Sequence, residues 1–273
     1  MAADEERGFR ICVMQGKGGS GKTEFAKNLA AAFAEEGEDV DVADCDPQAN
    51  SSRRLAAEVD EGEPSISEAI KASATGAAWD AYRPCGWPEP YASRIRVLPA
   101  HFDLENRLVE AGLPGAHLRL RKALTGCDTG IISLLDCAPS LAHLTQMALA
   151  SADVILIPVE PEKDGVKGAL RVIDFVQKNA ADLGNPDLRI AGVVPSRVRA
   201  ELGAHAEQLA RMPELFGEYL WADVAIPERT AIKEAADEAI PLRASKKKAA
   251  HEVADVFTVM ARRLLTLRAE LAA

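Results

Sequence analysis

Apolar positions in this chain follow two alternating rhythms. Near-continuous apolar runs occur at 9–14 (Phe9-Arg10-Ile11-Cys12-Val13-Met14), 40–43, 95–98, 131–135, 154–157 and 190–194. Runs without polar alternation predict parallel strands covered on both faces. Between them, apolar residues recur three and four apart. Phe25, Leu29, Ala32 and Phe33 do so up to Gly37, and similar spacing returns at about 103–124, 141–151, 163–182 and 203–212. These stretches are predicted helices. A last helix is predicted over about 245–271, with Val253, Val256, Phe257, Met260, Leu264, Leu267 and Leu271 along one stripe. Strand and helix in repeated alternation predict an α/β fold, a doubly wound and mostly parallel sheet flanked by helices. The segment 74–94 (Trp79, Tyr82, Pro84, Trp87, Pro88, Pro90, Tyr91) has neither period and reads as an elaborated surface loop whose aromatics pack on the sheet edge or, as the alternative, contact a partner. With no repeat and no linker, one domain is expected over 9–273, after a short disordered tail at 1–8.

Composition narrows the class. A chain of 273 residues, 48% hydrophobic and 27% charged, has the make-up of a globular protein with a sizeable core. No apolar run approaches the roughly 20 residues of a membrane span, and the acidic, polar start is no secretory signal. The expected location is cytoplasmic. Five cysteines (Cys12, Cys45, Cys85, Cys127, Cys137) form no CxxC pair and read as reduced cytosolic thiols rather than bridges, zinc ligands or an iron–sulfur site. The five histidines have no metal spacing. Net charge is −10, against a protein basic all over, yet from Arg189 onward 13 basic residues meet 12 acidic ones. A local basic face is compatible with that balance.

Residues 16–23, Gly16-Lys17-Gly18-Gly19-Ser20-Gly21-Lys22-Thr23, follow the first strand and open the first helix. Gly16, Gly21, Lys22 and Thr23 already satisfy the phosphate-loop pattern. Glycines let backbone N–H groups converge on phosphate oxygens, Lys22 neutralises the β/γ-oxygens, and the Thr23 hydroxyl can ligate Mg²⁺. Lys17 is surplus to the pattern. Placed too early to serve its own loop, it can be aimed at a nucleotide held by a second copy of the chain.

Two acidic candidates fit the same crevice. Asp136 ends the run at 131–135, the position of a metal-holding strand-end acid. Asp44-Cys45-Asp46-Pro47-Gln48 follows the strand at 40–43. Pro47 forces Asp46 out of helical geometry, so its carboxylate projects at the sheet edge, where it can order an attacking water.

Taken together, GKGGSGKT (16–23), DCDPQAN (44–50), LLDCAPSL (134–141) and ADVILIPVEPE (152–162) resemble the ParA/MinD family of deviant Walker A P-loop ATPases, of the SIMIBI type. The resemblance spans about 9–268 and is nearest to Soj-like ParA partition ATPases, through Asp-Pro-Gln-Ala-Asn, Leu98-Pro99-Ala100 with Asp103-Leu104, and Ala225-Ile226-Pro227 before Lys233-Glu234-Ala235. It implies ATP and Mg²⁺ as ligands, with slow intrinsic hydrolysis. Lys17 would reach the partner's phosphates, Lys22 and Thr23 would bind phosphate and metal, and Asp46 would activate water. Asp44 and Asp136 would complete the metal site, while Glu24, Pro195, Ser196 and Pro227 would lie beside the nucleotide. The ATP form would be a sandwich homodimer on nucleoid DNA, released when a ParB-type adaptor stimulates hydrolysis, with no stable membrane association. Candidate DNA contacts are Arg197, Arg199, Arg229, Lys233, Arg243, Lys246, Lys247 and Lys248, brought together across the dimer.

Some positions depart from the family pattern. Glu24 stands where many relatives carry Ser or Thr, and its carboxylate would repel an α-phosphate unless turned away. Pro195-Ser196-Arg197 replaces a segment that often has Asn, and Ala231 replaces an arginine found in some relatives. No helix-turn-helix extension precedes the first strand, as in the short, Soj-like class. Alternative readings are a MinD-like membrane-cycling ATPase and an ATPase that positions a protein cargo. A metal-cluster carrier would need paired cysteines, and in the sequence none of the five has company.

Overall fold

The computed structural model describes residues 8–17, 21–199 and 201–273. The elements run β1 (Phe9–Val13), α1 (Lys22–Glu35), β2 (Val40–Cys45), α2 (Asn50–Arg54), α3 (Ile66–Ala72), β3 (Arg83–Pro84), α4 (Tyr91–Arg94), β4 (Ile95–Leu98), α5 (Arg119–Leu124) and β5 (Ile132–Cys137). They continue with α6 (His143–Ser151), β6 (Val154–Val159), α7 (Lys163–Asn179), β7 (Arg189–Pro195), α8 (Gly203–Phe216), α9 (Thr230–Asp237) and α10 (Lys248–Ala272). The seven strands form one sheet in the order β3-β4-β2-β5-β1-β6-β7, parallel except for the antiparallel β3–β4 edge pair.

Strands β1, β2, β5 and β6 are buried along their whole length, which is why they read as apolar runs rather than alternating ones. Successive side chains feed two separate core layers. Ile11, Val13, Val42 and Leu134 face α1 and α10, where Phe25 meets Phe257 edge-on at 5.6 Å. Cys12, Cys45, Leu135 and Ile155 face α3, α5, α6 and α7. Gly37, at φ 93, ends α1 in a left-handed turn open to glycine.

Several expectations need correction. The predicted helix over 103–124 is a run of 3-10 turns, Phe102–Gly112 and Ala116–Leu118, leading into the short α5. Leu113-Pro114-Gly115 interrupts it, since proline removes a backbone donor and Gly115 adopts φ 69. The segment 74–94 is not only loop. It contributes β3 and α4, with Trp87 and Tyr91 buried and packed edge-to-face at 5.7 Å. Tyr82 and Trp79 stack instead on the Arg96 guanidinium. The last helix starts at Lys248, three residues later than expected, and its stripe is docked: Val253, Phe257, Met260 and Leu264 are buried. Of the expected tail, residues 1–7 lie outside the described residues. Gly8 is packed tightly, because a Cβ there would meet the Asp128 carbonyl oxygen at 2.2 Å. Among the described residues, no helix is long and apolar enough to cross a membrane.

Candidate functional site

The sheet's C-terminal edge collects the chemistry. Register sets Val13 beside Asp136 and Asp44 beside Asp136, so the exits of β1, β5 and β2 lie in one row. This is the crevice where doubly wound sheets bind ligands.

The phosphate loop leaves β1 in a fixed direction. Gln15 is fully buried, and its side chain accepts the Gly16 N–H at 2.6 Å and donates to the Gly165 carbonyl at 3.2 Å. Gly16 packs on Gly168 of α7, where a Cβ would meet the Gly168 oxygen at 3.1 Å. Gly18, Gly19 and Ser20, expected to bind phosphate, lie outside the described residues. Gly21, at φ 80, then turns the chain into α1, so the helix's N-terminal N–H groups face the crevice.

Lys22 is buried to 7% exposure, which pushes its pKa down, while Asp136 and Asp46 pull it back up. Asp136 is fully buried at the end of β5. Its Oδ2 accepts two hydroxyl hydrogen bonds, from Thr23 at 2.8 Å and from Ser51 at 2.7 Å. Burial, with the nearby Asp44 charge, pushes its carboxyl up to about 8. Among the described residues, Asp136 Oδ1 has no hydrogen-bond partner. A buried carboxylate oxygen left open beside a hydroxyl is the donor arrangement that Mg²⁺ takes, with phosphates and water filling its other positions. Among the described residues no cluster of three or more His, Cys, Asp or Glu forms a closed metal cage. The residues therefore fit a metal shared with substrate.

Asp44 is also buried, but it faces α2. It accepts the Ser52 N–H and the Ser52 hydroxyl, each at 2.8 Å, and burial pushes it up to about 6. Its Oδ2 thus holds α2 in place, and its Oδ1 accepts the Asp46 N–H at 3.3 Å. Asp46 sits half-buried in the turn beyond, with Oδ1 accepting the Gln48 N–H at 3.0 Å. Ser51 and Ser52 went unread in the sequence. Their signal is weak: two hydroxyls on the helix that follows the Asp-Pro turn, 85 residues from Asp136.

Lys17 is held within its own chain. Its Nζ bonds Glu162 at 2.8 Å and Glu160 at 3.1 Å, and its pKa is raised chiefly by Glu162. Glu24 turns to Lys27 at 2.9 Å and Arg54 at 3.7 Å, so its charge is balanced locally.

Beside Gly21 opens a cavity of about 290 Å³, lined in part by Phe25, Asn28, Ser196, Ile226, Pro227 and Ile232. Its mixed apolar and polar wall suits a planar base. Pro195 is buried at the end of β7 and is not among the lining residues.

The basic candidates do not form one patch in the single chain. Arg197, Arg229 and Lys233 line the cavity, with Arg197 at φ 51 and its side chain against Gly21. Arg197 and Arg199 both pair with Glu228. Arg243 is tied to Glu35 at 3.3 Å and Asp255 at 2.7 Å, and Lys247 pairs with Glu234. Lys246 and Lys248 are exposed at the start of α10, Lys248 with Glu252 at 3.5 Å.

Sheet register also groups some of the cysteines. All five are free and buried, but Cys12, Cys45 and Cys137 stand on neighbouring strands and share one face of the sheet. The parallel register makes that meeting, and linear spacing does not display it.

Known proteins place the chain. The family described as an AAA domain matches residues 9–190. The chromosome-partitioning ATPase Soj of Thermus thermophilus is 32% identical over 227 residues, 83% of this chain and 84% of that protein. The ATP complex of a McdA variant from Cyanothece superposes with TM-score 0.83 at 23% identity, over 95% of this chain and 97% of that one. MinD of Pyrococcus horikoshii, complexed with Mg-ADP, superposes with TM-score 0.73 at 23% identity, over 97% and 98%. The surplus lysine, the strand-end aspartates and these likenesses agree, and the chain belongs to the ParA/MinD family of P-loop ATPases.

Proposed function

We propose that this protein is a Mg²⁺-dependent ATPase of the partition type, acting as one domain over residues 9–273. Its ATP state is a homodimer that holds nucleoid DNA in the cytoplasm without sequence preference, and a ParB-type adaptor releases it by stimulating hydrolysis. The observation that carries this reading is the open Asp136 Oδ1 beside the Thr23 hydroxyl and the buried Lys22 ammonium.

Each residue has a physical task. Lys22 and the start of α1 stabilise β/γ-phosphate charge. Thr23 and Asp136 would hold Mg²⁺, which when bound neutralises charge that builds on the phosphate oxygens. Asp46 orients the attacking water at the exit of β2. The cavity beside Gly21 receives the base. Lys17 leaves Glu160 and Glu162 to meet a triphosphate on the second copy; the full triphosphate charge offsets the two lost ion pairs best, so dimerisation follows ATP. Arg229, Lys233 and Lys246 to Lys248 supply phosphate contacts to DNA, which makes binding salt-sensitive. The membrane-cycling alternative draws less support, because the apolar stripe of α10 is already packed against α1.

Light scattering after size-exclusion chromatography, with DNA binding measured in ATP and in ADP, tests the reading. Wild type should form a DNA-binding dimer in ATP alone, and Lys17→Ala should stay monomeric. A wild type that remains monomeric and free of DNA in ATP overturns it. Phosphate release should persist in wild type and be lost in Asp46→Ala.

A further inference from the structure

The proposed cycle leaves the buried thiols beneath the nucleotide edge without a task. Cys12 Sγ lies 3.3 Å from Cys137 Sγ, both sulfurs fully enclosed. In the β1–β5 register Cys12 stands opposite Leu135, so Cys137, two residues on, projects to the same face as its diagonal neighbour. Cys45 stands directly opposite Cys137 across β2–β5. Isolated buried cysteines act as small apolar residues. Here two sulfurs touch, and their neighbours in sequence are the acids of the site: Cys45 lies between Asp44 and Asp46, and Cys137 follows Asp136.

We infer that Cys12 and Cys137 are a peroxide-oxidisable pair whose disulfide disables the nucleotide site. The chemistry needs one oxidant, hydrogen peroxide, and balances. The Cys137 sulfur attacks a peroxide oxygen, the O–O bond breaks, and a sulfenic acid and one water result. The Cys12 sulfur then attacks the Cys137 sulfur, the S–O bond breaks, and a second water leaves with the remaining proton. Two thiols lose two electrons, and peroxide is reduced to two waters.

The consequence follows from geometry and rests on the ATPase reading above. A disulfide bond is about 2 Å long, so the sulfurs must close by more than an ångström from their present contact. Closure draws the end of β5 toward β1, and Asp136 is adjacent to the moving residue. The Thr23 and Ser51 hydroxyls, each bonded to one Asp136 oxygen, lose their alignment with it. Enclosure makes peroxide access depend on local opening of the sheet's C-terminal edge, and a bound nucleotide, which packs on that edge, opposes such opening.

The test uses the full chain, reduced and then treated with hydrogen peroxide in the presence or absence of Mg-ATP. Remaining thiols are alkylated under denaturing conditions and peptides are mapped by mass. The expected product is a Cys12–Cys137 cross-linked peptide, formed faster without nucleotide. Binding of a fluorescent ATP analogue should weaken at least about tenfold, as for damage to the second shell of a metal site, and recover with dithiothreitol. Cys12→Ala and Cys12→Ser should keep binding after peroxide. The inference is overturned if the wild-type thiols stay free, if the cross-linked protein binds nucleotide as before, or if both Cys12 variants lose binding equally. Failure of the reduced wild type to bind the analogue would instead count against the ATPase reading, since cross-link mapping does not depend on it.

Discussion

At the scale of single residues, the site turns on how many donors one buried carboxylate receives. Asp136 takes hydroxyls from Thr23 and Ser51 on one oxygen and leaves the other open. Ser51 thereby acts as a positioning residue that ties the helix after the Asp-Pro turn to the strand-end acid. Ser51→Ala should lower activity roughly 10–100-fold, as for lost outer-shell partners, and raise the Mg²⁺ needed for half-maximal rate. Ser51→Thr should restore most of both, and a Mg²⁺ titration of steady-state hydrolysis reads the effect. The carboxyl itself predicts a pH dependence. Its folded-state value of about 8 lies above the unfolded one, so folded protein holds a proton that unfolded protein has released. That stabilising contribution is complete below the unfolded value and is lost progressively as pH rises from there to about 8. Thermal unfolding in chelator, between about pH 6 and about pH 9, should show a steeper fall in Tm for wild type than for Asp136→Asn. Equal slopes would mean that the carboxylate is ionised throughout.

At the scale of elements, apolar runs and helical periods were legible wherever one face or stripe is buried. The buried strands and the long helices α1 and α7 fall where the pattern puts them, and α10 begins three residues later. What escaped were elements too short to carry a period: α2 has five residues and β3 two. Their conformation is set by neighbours, α2 by Asp44 gripping Ser52, and β3 by pairing with β4. The run at 102–112 shows the converse, where helical spacing is present but the chain takes 3-10 turns, and Pro114 and Gly115 separate them from α5. For α10 the docked stripe makes a quantitative expectation. Phe257→Ala removes a ring 2% exposed that packs on Phe25, and should cost about 3–5 kcal/mol in urea unfolding. A loss below about 1 kcal/mol, within the range of surface substitutions, would show the helix to be loosely held.

At the scale of the molecule, charge is distributed rather than concentrated. The chain is acidic overall, and of the basic candidates read from the sequence Arg197, Arg199, Arg243, Lys247 and Lys248 are paired with acids of their own chain. Binding through the few exposed cations should therefore have a modest salt slope. Arg229→Ala and Lys233→Ala should each reduce it by about one in a plot of log affinity against log salt, measured by fluorescence anisotropy with ATP. Unchanged slopes would exclude both from the DNA surface. The linear order of residues determined the phosphate-loop pattern, the two acidic candidates, the alternation of strand and helix and hence the family, because each depends on neighbours within a few positions. Tertiary structure alone decided which hydroxyls meet Asp136, where Lys17 rests, how the arginines are spent and that three cysteines share one face. Those contacts join residues apart in the chain, and the packing of strands, helices and loops on one another sets which of them touch.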